Sequence, residues 1–387
     1  MSFFTVPAYA LLLVILQLAV AQPVSSSALT QSVRPLVKPA KATSASNART
    51  NPIKLAHPAI FLGNVTSSNT GDIRDLGFSG RIGNITILTF GDTIPCKSYQ
   101  VGCAGLTAPN SAGIVTAQDT PLQYTDIHLG PAGKHAQRFC PLLTAAGEKP
   151  VDGLGLSNVI ETGTNEGIVF FLRNQRGSGG AGILGAGVAK VTVNPHNSTN
   201  ITCTRSSTPD QIQFWGANEP YFGDHGAILA SDGYIYAYGG AANVSNSLFL
   251  ARVPQKQAQQ LSAYQYWNGT AYTSQKLYDP TTAAEVFSSG QGSIFYSKLY
   301  QQYLYFKPKC PGGACINVQT SKRPEGPWSG GITVWGNGQS PDGLGMYAPV
   351  VQTRWTSDDG SNLMLMYTGR KQGVGNILQG INITFIL

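Results

Sequence analysis

A hairpin plan that recurs along the chain constrains the fold more than any other feature of the sequence. Each copy has a polar residue, a short strand, a turn and then a strand rich in Tyr, Phe, Ile and Leu. The copies cover 75–92, 158–172, 225–240, 293–306 and 347–368, roughly fifty to eighty residues apart. Glycine is abundant, only 12% of residues are charged, and no long stretch has helical period. The sequence therefore predicts an all-β fold.

The spacing of the copies favours a five-bladed β-propeller. A four-stranded blade needs about 40 to 45 residues plus loops, whereas a sandwich carries turn signals every 8 to 12 residues or so. The strand near AIFLGNV is expected to pair with the C-terminal INITFIL and close the ring. Because the first strands of the blades surround a channel, the polar residues that open the hairpins should converge. The predicted substrate-binding residues are Asn158, Asp224, His225, Gln291, Ser293 and Tyr347.

The first hairpin, RDLGFSGRIGNITILTFGDT, places two acids opposite each other. Gly83-Asn84 is a two-residue turn. In the resulting register Ile82 faces Ile85, and Asp75 faces Asp92. Like charges in facing positions destabilise a strand pair, so this placement suggests a functional reason. In the structural alternative, Asp92 forms a local turn with Thr93, and Asp75 pairs with Arg74 or another cation.

Residues 1–57 are predicted to precede the folded domain. An apolar run ending in Ala-Val-Ala predicts a signal peptide over 1–21 and an extracellular protein with no membrane span. The segment 22–57 is predicted to be a disordered linker or propeptide, and 58–387 the propeller. The net charge is +7, but basic residues of the tail supply five of the cations, without acidic residues to offset them: Arg34, Lys38, Lys41, Arg49 and Lys54. A nucleic-acid partner is therefore not expected, and attachment to an anionic surface is the weaker alternative.

The cysteines and sequons fit an exported glycoprotein. Six cysteines suggest disulfides rather than a metal site. Local pairing would join Cys96 to Cys103 and Cys310 to Cys315, leaving Cys140 for Cys203, although six cysteines allow about fifteen connectivities. Seven Asn-x-Ser/Thr sequons start at Asn64, Asn84, Asn197, Asn200, Asn243, Asn268 and Asn382.

Several segments resemble a known family. TGDIRDLGFSG followed by ITILTFGDT, GAILASDGYIYAYGG with LFLARVP and YQYWNG after it, and SKRPEGPWSG are similar to secreted five-bladed propellers of the glycosidase type. The resemblance extends over roughly residues 58 to 387 and is closest to a domain-of-unknown-function family whose bacterial members include endo-D-arabinanases. It implies that Asp75 and Asp92 are the catalytic carboxylates. No third acid is carried over from the resemblance, and Glu161, Glu219 and Asp224 are only candidates for one.

These observations predict a glycoside hydrolase that cleaves a furanoside-containing, arabinan-like polysaccharide with two aspartates. The alternative is a propeller that binds carbohydrate without cleaving it. No cofactor is predicted, and a structural ion in the central channel is left open. The glycine-rich stretch from Gly177 lacks the following helix and acidic residue that a dinucleotide site requires. The sugar, its linkage and the oligomeric state are not predicted.

Overall fold

A computed structural model describes most of the chain after residue 50. The described residues are 51–387 without 106–107, 117–118, 177–181, 207–211, 243, 277–286, 289–290, 310–312, 337–344 and 372–373. The predicted signal peptide, most of the predicted linker, Cys310 and the sequon at Asn243 lie outside them. Within the described ranges there is no α-helix, and short 3-10 turns occur at Pro131–Gly133, Thr144–Ala146, Gln255–Gln257, Leu261–Ala263 and Thr353–Trp355.

The described residues are dominated by β-strands, which confirms the predicted all-β class. The strands are β1 Lys54–Leu55, β2 Ile60–Asn64, β3 Thr66–Ser67, β4 Ile73–Arg74, β5 Phe78–Ile82, β6 Ile85–Phe90, β7 Thr93–Ile94, β8 Ser111–Val115, β9 Gln123–Ile127, β10 Asp152–Gly163, β11 Glu166–Gln175, β12 Gly182–Asn194, β13 Asn197–Thr204, β14 Trp215–Gly216, β15 Ala227–Leu229, β16 Tyr234–Ala241, β17 Val244–Pro254, β18 Gln265–Trp267, β19 Tyr272–Thr273, β20 Phe287–Ser288, β21 Ser293–Ser297, β22 Gln302–Lys309, β23 Cys315–Ser321, β24 Ile332–Gly336, β25 Met346–Val351, β26 Asn362–Lys371 and β27 Gly375–Ile386.

The long strands form successive antiparallel meanders. Meander 1 is β5-β6-β8-β9, meander 2 is β10-β11-β12-β13, meander 3 is β15-β16-β17-β18, meander 4 is β21-β22-β23-β24, and meander 5 is β25-β26-β27 with β2. Meanders 1 and 2 share one sheet because β5 and β10 pair in parallel at Arg81 and Ile160. Each meander thus contributes one first strand: β5, β10, β15, β21 or β25.

The start of the described chain completes meander 5. Strand β2 pairs antiparallel with β27, with Ile60 opposite Asn382, which confirms the predicted pairing of these segments. Strand β1 also pairs with β27, with Lys54 opposite Ile386. Ile53 is buried. The last residues of the segment predicted as a linker therefore belong to the described fold, because they supply strand partners and apolar side chains.

All five predicted hairpins are present, and the first has the expected register. Strand β5 turns at Gly83-Asn84 into β6, and Ile82 lies opposite Ile85. The later hairpins are β10–β11, β15–β16, β21–β22 and β25–β26, with Ser293 opposite Phe306 and Tyr347 opposite Thr368. Turn residues and alternating apolar positions set these registers, so they could be derived locally.

Apolar side chains pack each meander against the next. Phe170 of meander 2 and Ile235 of meander 3 share one buried cluster, and Tyr238 and Tyr305 join meanders 3 and 4 in another. Further clusters join meanders 4 and 5 and meanders 1 and 2. Met366 of meander 5 packs with Leu88 of meander 1, so the fifth meander contacts the first.

Two of the predicted disulfides are formed, Cys96–Cys103 and Cys140–Cys203. The second links the loop before meander 2 to its last strand, β13. The third predicted pair includes Cys310, which lies outside the described residues. A search of the described part of the chain finds no helix with the length and apolar character of a membrane span.

Candidate active site

Asp75 and Asp92 face each other at the open end of the first hairpin. Strands β4 and β7 continue its register beyond the pair, with Arg74 opposite Thr93. The Asp75 N–H donates to the Asp92 carbonyl at 3.2 Å, and the Gly91 N–H donates to the Asp75 carbonyl at 3.1 Å. The predicted juxtaposition therefore follows from one continuous strand register on both sides of the pair.

The Asp75 carboxylate is held by two hydrogen bonds. Its Oδ1 accepts from the Asp92 backbone N–H at 2.5 Å, and its Oδ2 accepts from the Tyr347 hydroxyl at 2.7 Å. Burial and the neighbouring Asp92 charge raise the pKa of Asp75 to about 6, although the hydrogen bond from Tyr347 acts in the opposite direction. A Cβ on Gly91 would lie 2.4 Å from Oδ1 of Asp75, so the carboxylate needs a glycine there.

Asp92 is paired with Arg176, which the sequence did not indicate. Nη2 of Arg176 lies 2.5 Å from Oδ1 of Asp92, whose side chain is 31% exposed. The Arg176 N–H donates to the Val151 carbonyl, and its Nε donates to Oδ1 of Asn174. Arg176 directly follows β11, and no local motif connects it to a loop of meander 1. Only the packing of two meanders makes this contact.

Tyr347 lies where the sequence predicted, at the start of the first strand of meander 5. Its hydroxyl binds Asp75, and burial and the Asp75 charge raise its pKa, so the hydroxyl stays a donor. The guanidinium carbon of Arg370 lies 5.8 Å from the centre of the Tyr347 ring. Meanders 1, 2 and 5 thus contribute side chains to one group: Asp75, Asp92, Arg176, Tyr347 and Arg370.

Asp224, His225 and Gln291 form a second polar group, from the segments that precede β15 and β21. Nε2 of His225 lies 3.3 Å from Oδ2 of Asp224, and Nε2 of Gln291 donates to Oδ1 of Asp224 at 3.4 Å. Both Asp224 and His225 are buried. Asp224 stands three residues before β15 and Asp75 three residues before β5, so both groups precede the first strands of their meanders.

Two predicted binding residues instead join neighbouring meanders. The Asn158 amide donates to the Ala227 carbonyl at 2.8 Å and accepts from the Ala227 N–H at 2.9 Å. Oγ of Ser293 accepts from the Val351 N–H at 3.0 Å. These side chains satisfy backbone groups that the ladder of their own meander does not reach, and so hold the first strands together.

The structural alternatives are replaced by other contacts. Arg74 does not pair with Asp75: its Nη2 lies 2.8 Å from Oδ1 of Asp126. Among the candidates for a third acid, Glu161 accepts from the Gly83 N–H at the turn end of the first hairpin, away from Asp75. Glu219 pairs with Lys276 at 3.1 Å. Asp224 is therefore the candidate whose position matches that of Asp75.

A cavity of about 280 Å³ lies among the first strands. Its lining comes from all five meanders and includes Asn158 and Ser293 but neither Asp75 nor Asp92. The cavity reaches Glu161 and Arg81 near the turn end of the first hairpin. It also reaches Phe78 and Gly226, which lie close in sequence to Asp75 and His225. Within the described residues, no three His, Cys, Asp or Glu side chains are grouped to hold a metal ion.

A known family model matches part of the chain. The profile of a family described as Domain of unknown function (DUF4185) matches residues 186–372, slightly less than half of the chain. The match includes Asp224, His225, Gln291 and Tyr347 but not the first hairpin. No curated protein matches the sequence.

Solved structures share the fold at low sequence identity. A Bacteroides ovatus protein provisionally described as a hydrolase aligns with a TM-score of 0.56 and 13% identity, covering 84% of this chain and 87% of that one. More distant similarities include an α-L-arabinofuranosidase from Podospora anserina. It aligns with a TM-score of 0.42 and 12% identity, covering 87% of this chain and 98% of that one. A xylan β-1,4-xylosidase from Bacillus halodurans aligns with a TM-score of 0.46 and 8% identity, covering 82% of this chain and 54% of that one. At these identities the similarity concerns the fold alone.

Proposed function

We propose that the five meanders are the blades of a five-bladed β-propeller formed by residues 58–387 with the short strand before it. The cyclic order of packing supports this architecture, since each meander contacts the next and the fifth contacts the first. The strand pair β2–β27 would close the ring without leaving an exposed edge.

We further propose that the protein is a secreted glycoside hydrolase acting on a furanoside-containing, arabinan-like polysaccharide. The observation that carries this proposal is the facing pair: Asp75 is partly buried and bonded to Tyr347, while Asp92, whose side chain is 31% exposed, is bonded to Arg176. Two carboxyl groups in different environments are what glycoside hydrolysis requires. The furanoside class comes from the sequence resemblance, and the two disulfides are compatible with an extracellular location.

The two aspartates divide the chemistry. Asp75, whose raised pKa favours the protonated form, donates its proton to the leaving glycosidic oxygen as the C–O bond breaks. Asp92, with its charge balanced by Arg176, either removes a proton from the attacking water or itself attacks the anomeric carbon. Tyr347 positions Asp75, and the group of Asp224, His225 and Gln291 binds sugar hydroxyls. No step requires a cofactor.

Release of reducing ends tests this proposal. The full chain is incubated with arabinan fragments and a polysaccharide panel, next to the variants Asp75→Asn and Asp92→Asn. Each substitution should lower kcat/KM by about 10² to 10⁴. Asp358→Asn is the matched control, because Asp358 is an exposed aspartate in the loop between β25 and β26 and should leave activity unchanged.

Equal product release by wild type and Asp92→Asn would reject the hydrolase. Binding of the same glycans without any hydrolysis, unaffected by Asp92→Asn, would favour the carbohydrate-binding alternative. Circular dichroism of each variant separates loss of activity from loss of folding.

A further inference from the structure

Arg370 places a positive charge beside Tyr347, whose hydroxyl binds Asp75. It lies in β26, its backbone N–H donates to the Gly345 carbonyl, and its side chain is exposed. Its guanidinium carbon is 5.8 Å from the ring centre of Tyr347, whose hydroxyl binds Asp75. Among the ion pairs of the described residues, none includes Arg370.

Two arginines at or just after the end of β11 have carboxylate partners. Arg176 pairs with Asp92, and Nη2 of Arg173 lies 2.9 Å from Oδ2 of Asp152. Arg138 differs, because its nitrogens donate to the carbonyls of Asp152 and Pro150 rather than to a carboxylate. Burial and the neighbouring Arg176 charge lower the pKa of Arg138. Among the described residues, Arg370 on meander 5 and Arg138 in the loop before meander 2 therefore have no ion pair with a carboxylate.

An unbalanced cation is unfavourable beside an acid that must be protonated. A positive charge near Asp75 favours its ionised form and so opposes proton donation. A negative charge on the bound substrate would cancel this effect. The planar fork of an arginine side chain matches a carboxylate in two parallel hydrogen bonds, whereas neutral sugar hydroxyls make weaker contacts.

We propose that Arg370 is a specificity-determining residue that binds a carboxylate of the substrate, so that the site takes an acidic, uronate-bearing furanoside polysaccharide. This inference rests on the function proposed for the same site. It adds the charge of the substrate, which neither the family match nor the similar structures specify.

Paired ligands of equal size test the inference. The probes are arabinogalactan oligosaccharides that carry glucuronate, and the same oligosaccharides after reduction of each carboxyl group to a neutral alcohol. Calorimetry measures their binding to the full chain and to the variants Arg370→Gln, Arg370→Lys and Arg354→Gln. Arg354 is the matched control, since it is also exposed on meander 5 and stacks on an aromatic ring, with 5.5 Å from its guanidinium carbon to the Trp355 ring centre. Arg354 lies beyond the end of β25. The Arg370 backbone N–H, in contrast, donates to the Gly345 carbonyl just before β25 begins.

Wild type and Arg354→Gln should bind the acidic oligosaccharides about tenfold more tightly than the reduced ones. Arg370→Gln should remove that preference, and Arg370→Lys should restore part of it. Equal binding of the two probes by wild type, or an unchanged preference in Arg370→Gln, would overturn the inference.

The inference and the proposed hydrolysis fail in different ways. If Asp92→Asn abolishes hydrolysis while Arg370→Gln leaves the acidic preference unchanged, the hydrolase stands and the role of Arg370 is wrong. If acidic probes bind in an Arg370-dependent manner but wild type releases no reducing ends, the role of Arg370 stands and the hydrolase is wrong.

Discussion

Two groups of charged residues at the open end of the first hairpin differ in burial and charge balance. Asp72, Arg74 and Asp126 lie in the interior, with no exposed side-chain surface, and Arg74 lies 2.8 Å from Asp126 and 3.6 Å from Asp72. Asp75 and Asp92 lie only one residue beyond Arg74 and Thr93 on the two strands, yet Asp92 is 31% exposed.

The two groups also differ in what balances their charges. Asp72 accepts from His135, Cys96 and Ala136, so the buried group is enclosed by protein donors. Asp75 instead has a raised pKa beside a second carboxylate. The comparison indicates that acids beside a buried cation stabilise the fold, whereas a partly buried acid beside a second carboxylate has a raised pKa.

The largest effect is expected from breaking the buried group. Arg74→Met leaves Asp72 and Asp126 buried without their cation and should lower the free energy of unfolding by about 3 to 5 kcal/mol. Urea denaturation measures this loss. Arg176→Met in the other group should cost less than about 1 kcal/mol, because that pair is partly exposed. Similar losses in both variants would contradict the distinction.

Displacing the Asp75 carboxylate should lower activity without a comparable loss of stability. In Gly91→Ala the new Cβ would meet Oδ1 of Asp75 at 2.4 Å, so the carboxylate must move. A decrease in kcat/KM of about 10² is expected, because such displacements disturb reactive geometry. Gly330→Ala is the control, since nothing lies within 4 Å of its Cβ position. Unchanged kcat/KM in Gly91→Ala would argue against Asp75 as the acid.

Removing the charge of two nearby aspartates should have opposite effects on stability. The pKa of Asp75 is raised from 3.8 to about 6 in the folded protein. Its contribution to stability is therefore present below its unfolded pKa and lost as pH rises through about 6. At pH 7, Asp75→Asn should stabilise the fold by about 1 to 2 kcal/mol, allowing for partial exposure, whereas Asp72→Asn should destabilise it.

Urea denaturation at pH 7 and pH 4 checks both signs. The gain from Asp75→Asn should vanish at pH 4, where the wild-type carboxyl is protonated in the folded state. A destabilised Asp75→Asn variant at pH 7 would contradict the raised pKa.

The smallest effect is expected from Tyr347→Phe. The hydrogen bond from Tyr347 lowers the pKa of Asp75, so its loss should raise that pKa above about 6. The decline of kcat/KM at high pH should then move upward by about half a pH unit to one unit. Tyr300→Phe is a suitable control because its hydroxyl binds the backbone of Lys54 and Ile386. An identical pH profile for Tyr347→Phe would contradict the positioning role.

Much of the fold could be predicted because its determinants are local. Gly83-Asn84 defines the first turn, and the alternation of apolar residues sets which face of each strand is buried. The same rules gave the other hairpins and the pairing of β2 with β27. The site was only partly predictable: the facing aspartates followed from strand register, and Tyr347 was expected at the start of a hairpin, but its hydrogen bond to Asp75 was not. Arg176 and Arg370 carry no local signal. Asn158 and Ser293 were assigned to substrate, whereas their polar atoms bind neighbouring backbone.

The sequence by itself determined the strands, their turns and the meeting of Asp75 with Asp92, because the register of a hairpin follows from its turn and its side-chain period. Tertiary packing alone decided which further groups reach the pair. Tyr347 comes from another meander and Arg176 from a third, and such contacts depend on how whole sheets pack rather than on any short segment. The same packing decided that Asn158 and Ser293 join meanders. Each lies next to a backbone group of the neighbouring meander, and a buried backbone group needs a hydrogen-bond partner.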